Sequence, residues 1–144
     1  EAVAATLTTG SYFRAYDGTS SVFAVKLGGH LASAGTAPSV AAGAGAGTTP
    51  TGPAVTAGST DTKGNVTGTT GTSNVAGIVM TVTFAKAYAS APVVFLKGAT
   101  AATANIMVSS KVTTTSTTTT FTVTTTTTAL ADSTAFSWDY FIIE

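Results

Sequence analysis

The chain ends on Phe136-Ser-Trp-Asp-Tyr-Phe-Ile-Ile143, in which Phe136, Trp138, Tyr140 and Ile142 stand two residues apart. Successive side chains of an extended strand point to opposite faces, so these four share one face. A period of two in large apolar residues marks a half-buried strand, and this one predicts the densest part of a core. The same period runs through Ile78-Val-Met-Thr-Val-Thr-Phe84, with Ile78, Met80, Val82 and Phe84 expected on one face and Thr81 and Thr83 on the other. Between the two, Pro92 opens the continuous apolar run Val93-Val-Phe-Leu96, which reads as a strand covered on both faces. Asn105-Ile-Met-Val-Ser109 continues the β pattern. The tract from Thr113 to Thr128 holds 13 threonines, with Phe121 and Val123 two apart in its middle. It reads as two strands and a turn in preference to a glycosylated stalk. No window combines a 3.6-residue apolar period with good helix formers, so no helix is expected. The expected class is all-β, an antiparallel β-sandwich with Phe84, Phe95, Phe121, Phe136, Trp138 and Tyr140 in its core.

Nearer the start, Ser11-Tyr-Phe-Arg-Ala-Tyr16 and Ser21-Val-Phe-Ala-Val-Lys-Leu27 flank Asp17-Gly-Thr-Ser20, a β-hairpin signal. Tyr12, Arg14 and Tyr16 are expected on one strand face. A lone hairpin is marginal in water, so neighbours are needed, and a homotrimer would supply them from other chains. From Leu31 to about Gly77 the chain turns to Ala, Gly, Thr and Ser and carries three of the four prolines. A flexible linker is one reading. The other, preferred here, is short strands at Pro53 to Ala57 and Gly64 to Thr69 around the turn Asp61-Thr-Lys-Gly64. Residues 1–37 are therefore read as an arm and hairpin stem, and 38–144 as the head.

Threonine supplies 33 of the 144 residues, while only 12 are charged, six of each sign. Threonine is β-branched, fits a pleated surface and offers a hydroxyl to water, so it can wet a β protein without charge. A surface with little repulsion suits a module joined to its neighbours, and an oligomer is expected. A net charge of zero argues against capture of nucleic acid or an anionic membrane. Cysteine is absent, which removes disulfides and thiolate chemistry. Neither a signal peptide nor an 18-residue apolar run is seen, so no membrane insertion is expected.

Catalysis needs a nucleophile beside a base, two carboxylates held apart in pKa, or a metal cluster. His30 is the single histidine, and a triad would have to gather it with scattered Asp17, Asp61, Asp132 or Asp139. No enzyme and no cofactor are expected. Gly43 to Gly47 lacks the Lys and Ser or Thr of a phosphate loop and reads as slack backbone. Asp17 and Asp61 sit in turns, where carboxylates cap backbone N–H groups. His30 reads as a loop residue, and its sharper reading is a metal or pH-sensitive contact formed by three copies on a threefold axis. Tyr12 and Tyr16, with Phe13 and Phe23, are candidates for a sugar-stacking surface or for packing in a trimeric stem.

Tyr16-Asp-Gly-Thr-Ser-Ser-Val-Phe-Ala-Val-Lys-Leu-Gly-Gly-His-Leu-Ala-Ser-Ala-Gly-Thr-Ala-Pro38 resembles the joint of bacteriophage tail-fibre and minor virion structural proteins. Val55-Thr-Ala-Gly-Ser-Thr-Asp-Thr-Lys-Gly-Asn-Val66, Val82-Thr-Phe-Ala-Lys-Ala-Tyr-Ala-Ser-Ala-Pro-Val-Val94 and the aromatic final strand are similar to the C-terminal head of that family. The resemblance covers residues 12 to 144. It implies a β-sandwich head, homotrimeric assembly, other virion proteins as partners, and a place on the virion. A fibre module would meet a host-surface glycan or protein. A capsid decoration protein would bind the shell instead.

Overall fold

The structure is a computed structural model that describes residues 10–18 and 20–144. The chain divides into two compact units, one ending at Gly35 and one running from Thr36 to Glu144.

The first unit is a three-stranded antiparallel sheet in the order β1-β2-β3, made of β1 (Ser11–Asp17), β2 (Ser20–Lys26) and β3 (Leu31–Ser33). Gly18 makes the β1–β2 turn at φ +68°, a left-handed conformation that glycine adopts without a Cβ penalty. Phe13 pairs with Val25 and Ala15 with Phe23, and the two phenylalanine rings lie 6.2 Å apart. The ladder slips between Ser11 and Phe13, leaving Tyr12 without a partner. Ser11 and Phe13 therefore fall on opposite faces, an irregularity in the alternation of this strand.

The second unit is an all-β, sandwich-like fold of two four-stranded antiparallel sheets. One has the order β4-β7-β10-β9, from β4 (Ser39–Ala42), β7 (Gly77–Thr83), β10 (Thr120–Thr125) and β9 (Val112–Ser116). The other has the order β5-β6-β11-β8, from β5 (Thr51–Val55), β6 (Lys63–Thr69), β11 (Ala135–Ile143) and β8 (Val93–Gly98). Each contributes alternate side chains to a shared core. Val82, Phe121 and Val123 come from the first sheet, and Val66, Phe136, Trp138, Tyr140 and Ile142 from the second. Phe121 and Tyr140 meet across the layers with ring centroids 5.5 Å apart, and Phe136 stacks on Trp138 at 4.5 Å. Phe84, just beyond β7, is buried against Phe121.

The threonine tract folds as β9, a turn and β10. Phe121, Val123 and Thr125 point inward, while the hydroxyls of Thr115 and Thr122 bond to each other at 2.7 Å on the outer side. Threonine thus serves as the wet half of a pleated strand, with two large apolar residues fixing which half is dry.

Four expectations are overturned. Phe95 is not in the core but 56% exposed. Its strand β8 ends the sheet order, and its burial alternates residue by residue, so it is covered on one face only. The run Val93 to Leu96 is apolar on both faces for a reason other than double burial. Ile78 also points outward, because the β7–β10 ladder slips between Val123 and Thr124 and inserts Val79 as an extra residue. Val79 and Met80 are consequently both buried, which a strict period of two forbids.

The third correction is a helix, α1 (Ala101–Ser109), where Asn105 to Ser109 reads as strand. Its start is set by Thr100, whose Oγ1 accepts from the Thr103 N–H at 3.2 Å as an N-cap, followed by helix-favouring alanines. Ile106 and Met107 pack on the core, and Thr103 Oγ1 accepts from the Ser137 N–H of β11 at 3.1 Å. Gly98 lets the helix lie directly on β8, since a Cβ there would fall 2.5 Å from the Ala104 nitrogen. Finally, Gly43 to Gly47 is not slack. Ala44–Ala46 form a 3-10 turn against β7, and a Cβ at Gly45 would come within 2.8 Å of the Gly77 and Ile78 carbonyls.

Candidate binding surfaces

β11 buries its even-numbered residues, so Ser137, Asp139, Phe141 and Ile143 project from the outer face of the second sheet. The ladders set Asp139 between Asn65 and Lys97, Phe141 between Lys63 and Phe95, and Ile143 beside Val93. Directly paired residues of an antiparallel ladder hold their Cβ atoms about 5 Å apart, so this face is built in tiers. One tier is polar. Asp139 Oδ1 accepts from Asn65 Nδ2 at 2.9 Å, Oδ2 lies 3.3 Å from Lys97 Nζ, and Asn65 Nδ2 also donates to Ser137 Oγ at 3.0 Å. The next two tiers are apolar on β11 and β8, with the exposed Lys63 of β6 flanking Phe141. Val93, Phe95, Phe141 and Ile143 are each exposed by about half, between 48% and 59%. The Lys97–Asp139 pair is itself wet, so it contributes about 0–1 kcal/mol to stability.

Of the two carboxylates expected in turns, Asp61 works as a backbone clamp. Asp61 accepts from the Ala85 N–H and the Lys86 N–H, 2.8 Å each, and so ties the β5–β6 side of the head to the segment after β7. Nearby, Tyr88 donates to the Asp61 carbonyl at 3.0 Å, and Tyr140 donates to the buried Thr60 carbonyl at 2.6 Å. Burial pushes both phenols above their ordinary pKa, Tyr140 the further. Asp132 accepts from the Asn74 N–H at 3.4 Å. A cleft of about 320 Å³ beside Asn65 and Asp139 includes Ser59, whose Oγ is taken by the Asn65 N–H at 3.2 Å. Its hydroxyl holds the β5–β6 connection in shape.

His30 is exposed in the turn between β2 and β3. The Asp17 side chain lies outside the described residues. Among the described residues no group of three His, Asp or Glu side chains could hold a metal ion. No described helix is long and apolar enough to cross a membrane.

Tyr12 and Tyr16, at 63% and 55% exposed, belong to a sheet that carries large apolar side chains into water. Phe13, Phe23 and Leu31 are exposed as well, and the small Ala24 is the unit's one described apolar residue classed as buried. The apolar tiers of the head escaped sequence reasoning. Their signal was present in Phe141-Ile-Ile143 and Val93-Val-Phe95, where both parities of a strand are apolar. Comparison with protein-family models, curated proteins and solved structures finds no match to this chain.

Proposed function

We propose that this chain is a non-catalytic module of a bacteriophage fibre or appendage. Three copies join through their N-terminal sheets, and the sandwich forms the head that attaches to a host surface. The observation that carries this reading is the composition of the first unit. A three-stranded sheet with Tyr12, Phe13, Tyr16, Phe23 and Leu31 all exposed cannot bury enough apolar surface by itself. Copies of the same sheet would cover these residues, and a homotrimer is the arrangement the fibre resemblance implies. The near-absence of charge favours such joining, because no repulsion opposes it. In the head, Asp61, Asp132 and Asp139 each hold structural partners, which supports attachment over catalysis.

Light scattering on the eluted protein is expected to give three times the chain mass. A stable monomer at micromolar concentration would overturn the reading. Labelling of intact particles is expected to find the chain at a fibre tip. A position on the shell would replace attachment with capsid decoration.

A further inference from the structure

We infer that the outer face of β11 and β8 is a contact surface for further copies of this same chain, around an axis parallel to its strands. The choice of three copies rests on the function proposed above. The self-contact is argued from this face, and its strength draws on the association of the N-terminal sheets proposed above. Along the strand direction it has a polar tier, Lys97 beside Asp139, then Phe95 beside Phe141, then Val93 beside Ile143. In each tier one residue lies toward the β8 edge and the other toward β11.

Rotation about an axis parallel to the strands keeps every tier at its own height and brings the β8 side of one copy to the β11 side of the next. Phenylalanine therefore meets phenylalanine and Val93 meets Ile143, while the Lys97 ammonium of one copy meets the Asp139 carboxylate of another. The face is complementary to itself in both apolarity and charge. A partner with net charge would match the apolar tiers no better, and the Lys97–Asp139 pair sums to zero, which leaves Lys63 of β6 as a single cation at the margin of these tiers.

Four half-exposed side chains offer on the order of 350 Å² of apolar surface, below the roughly 800 Å² per partner of a standard interface. The polar surround of Lys63, Asn65 and Ser137 must add to it. Association elsewhere in the chain would raise the effective concentration of the heads, so a modest patch suffices.

The test uses the full 144-residue chain. Hydroxyl-radical footprinting of Phe95 and Phe141 is read against protein concentration, alongside mass by light scattering. Protection of both rings is expected to rise with assembly. Phe141→Asp should raise the dissociation constant of the head contact roughly 30-fold or more. This position is half exposed, so an unchanged circular dichroism spectrum is expected. Lys97→Glu should weaken the contact at low salt and adding Asp139→Lys should restore it; because the two residues also pair within one chain, the circular dichroism spectrum must stay unchanged in both variants for the loss to be read as one of contact. An oligomer whose two rings label as fast as in the dilute monomer would overturn the self-contact and leave the proposed stem standing. A monomer at every concentration would overturn both.

Discussion

Tyr140 places its phenol inside the head and donates to Thr60 at 2.6 Å, which fixes how the protein must respond to alkali. Burial raises the folded-state pKa above the ordinary 10.0, and Tyr88 shifts the same way. The neutral phenol is thus favoured in the folded state, while the unfolded chain ionises near pH 10. The contribution is complete below pH 10 and falls as pH rises, by up to about 1.4 kcal/mol per pH unit for each such tyrosine. Urea titrations between pH 7 and pH 11 should show this decline. Tyr140→Phe should flatten it in part, Tyr88 remaining, and should cost about 1–2 kcal/mol at pH 7 because the Thr60 carbonyl loses its donor. An unchanged alkaline slope in the variant would show that Tyr140 is not the group responsible. The inward side of β11 was legible in the sequence because alternation alone decides it. Ile78 was not, since a single inserted residue, Val79, reverses the parity of everything before it, and no side chain announces a bulge.

At the scale of elements, α1 shows where strand reasoning ran out. Asn105 to Ser109 is short and apolar, and length is what separates a buried strand from a helix segment. The deciding residues lay upstream, in the Thr100 cap and the alanines behind it, and in Gly98, which lets the helix backbone approach β8. Thr100→Ala should cost about 1 kcal/mol, the usual worth of an N-cap. Gly98→Ala should cost more, because its Cβ would meet backbone, which cannot rotate away. Thermal melts of the two variants check the order, and a milder effect at Gly98 would mean that the helix can shift. The candidate site was half legible for a related reason. A sequence shows that both faces of Val93 to Leu96 and of Phe141 to Ile143 are apolar. Whether the second face meets another layer or water depends on what packs outside the sheet, and here the edge strand β8 and the interior strand β11 both keep that face exposed.

For the molecule as a whole, the two units differ in what holds them. The head closes over Trp138, Phe121, Met80 and four valines with essentially no exposure, whereas the N-terminal sheet leaves its aromatic residues open. Units with separate cores should respond separately to a core lesion. Trp138→Ala deletes the largest fully buried side chain and should cost the head about 3–5 kcal/mol. Amides of β10 would then exchange faster, following the reduced stability of the head. Amides of β2 and β3 should keep their rates under conditions where the head remains folded, because Ala24, Val25 and their partners lie in the other unit. Hydrogen exchange resolved by residue reads both sets in one experiment. If β2 and β3 accelerate in step with β10, the N-terminal sheet draws its order from the head, and stem formation by separate copies loses its physical basis.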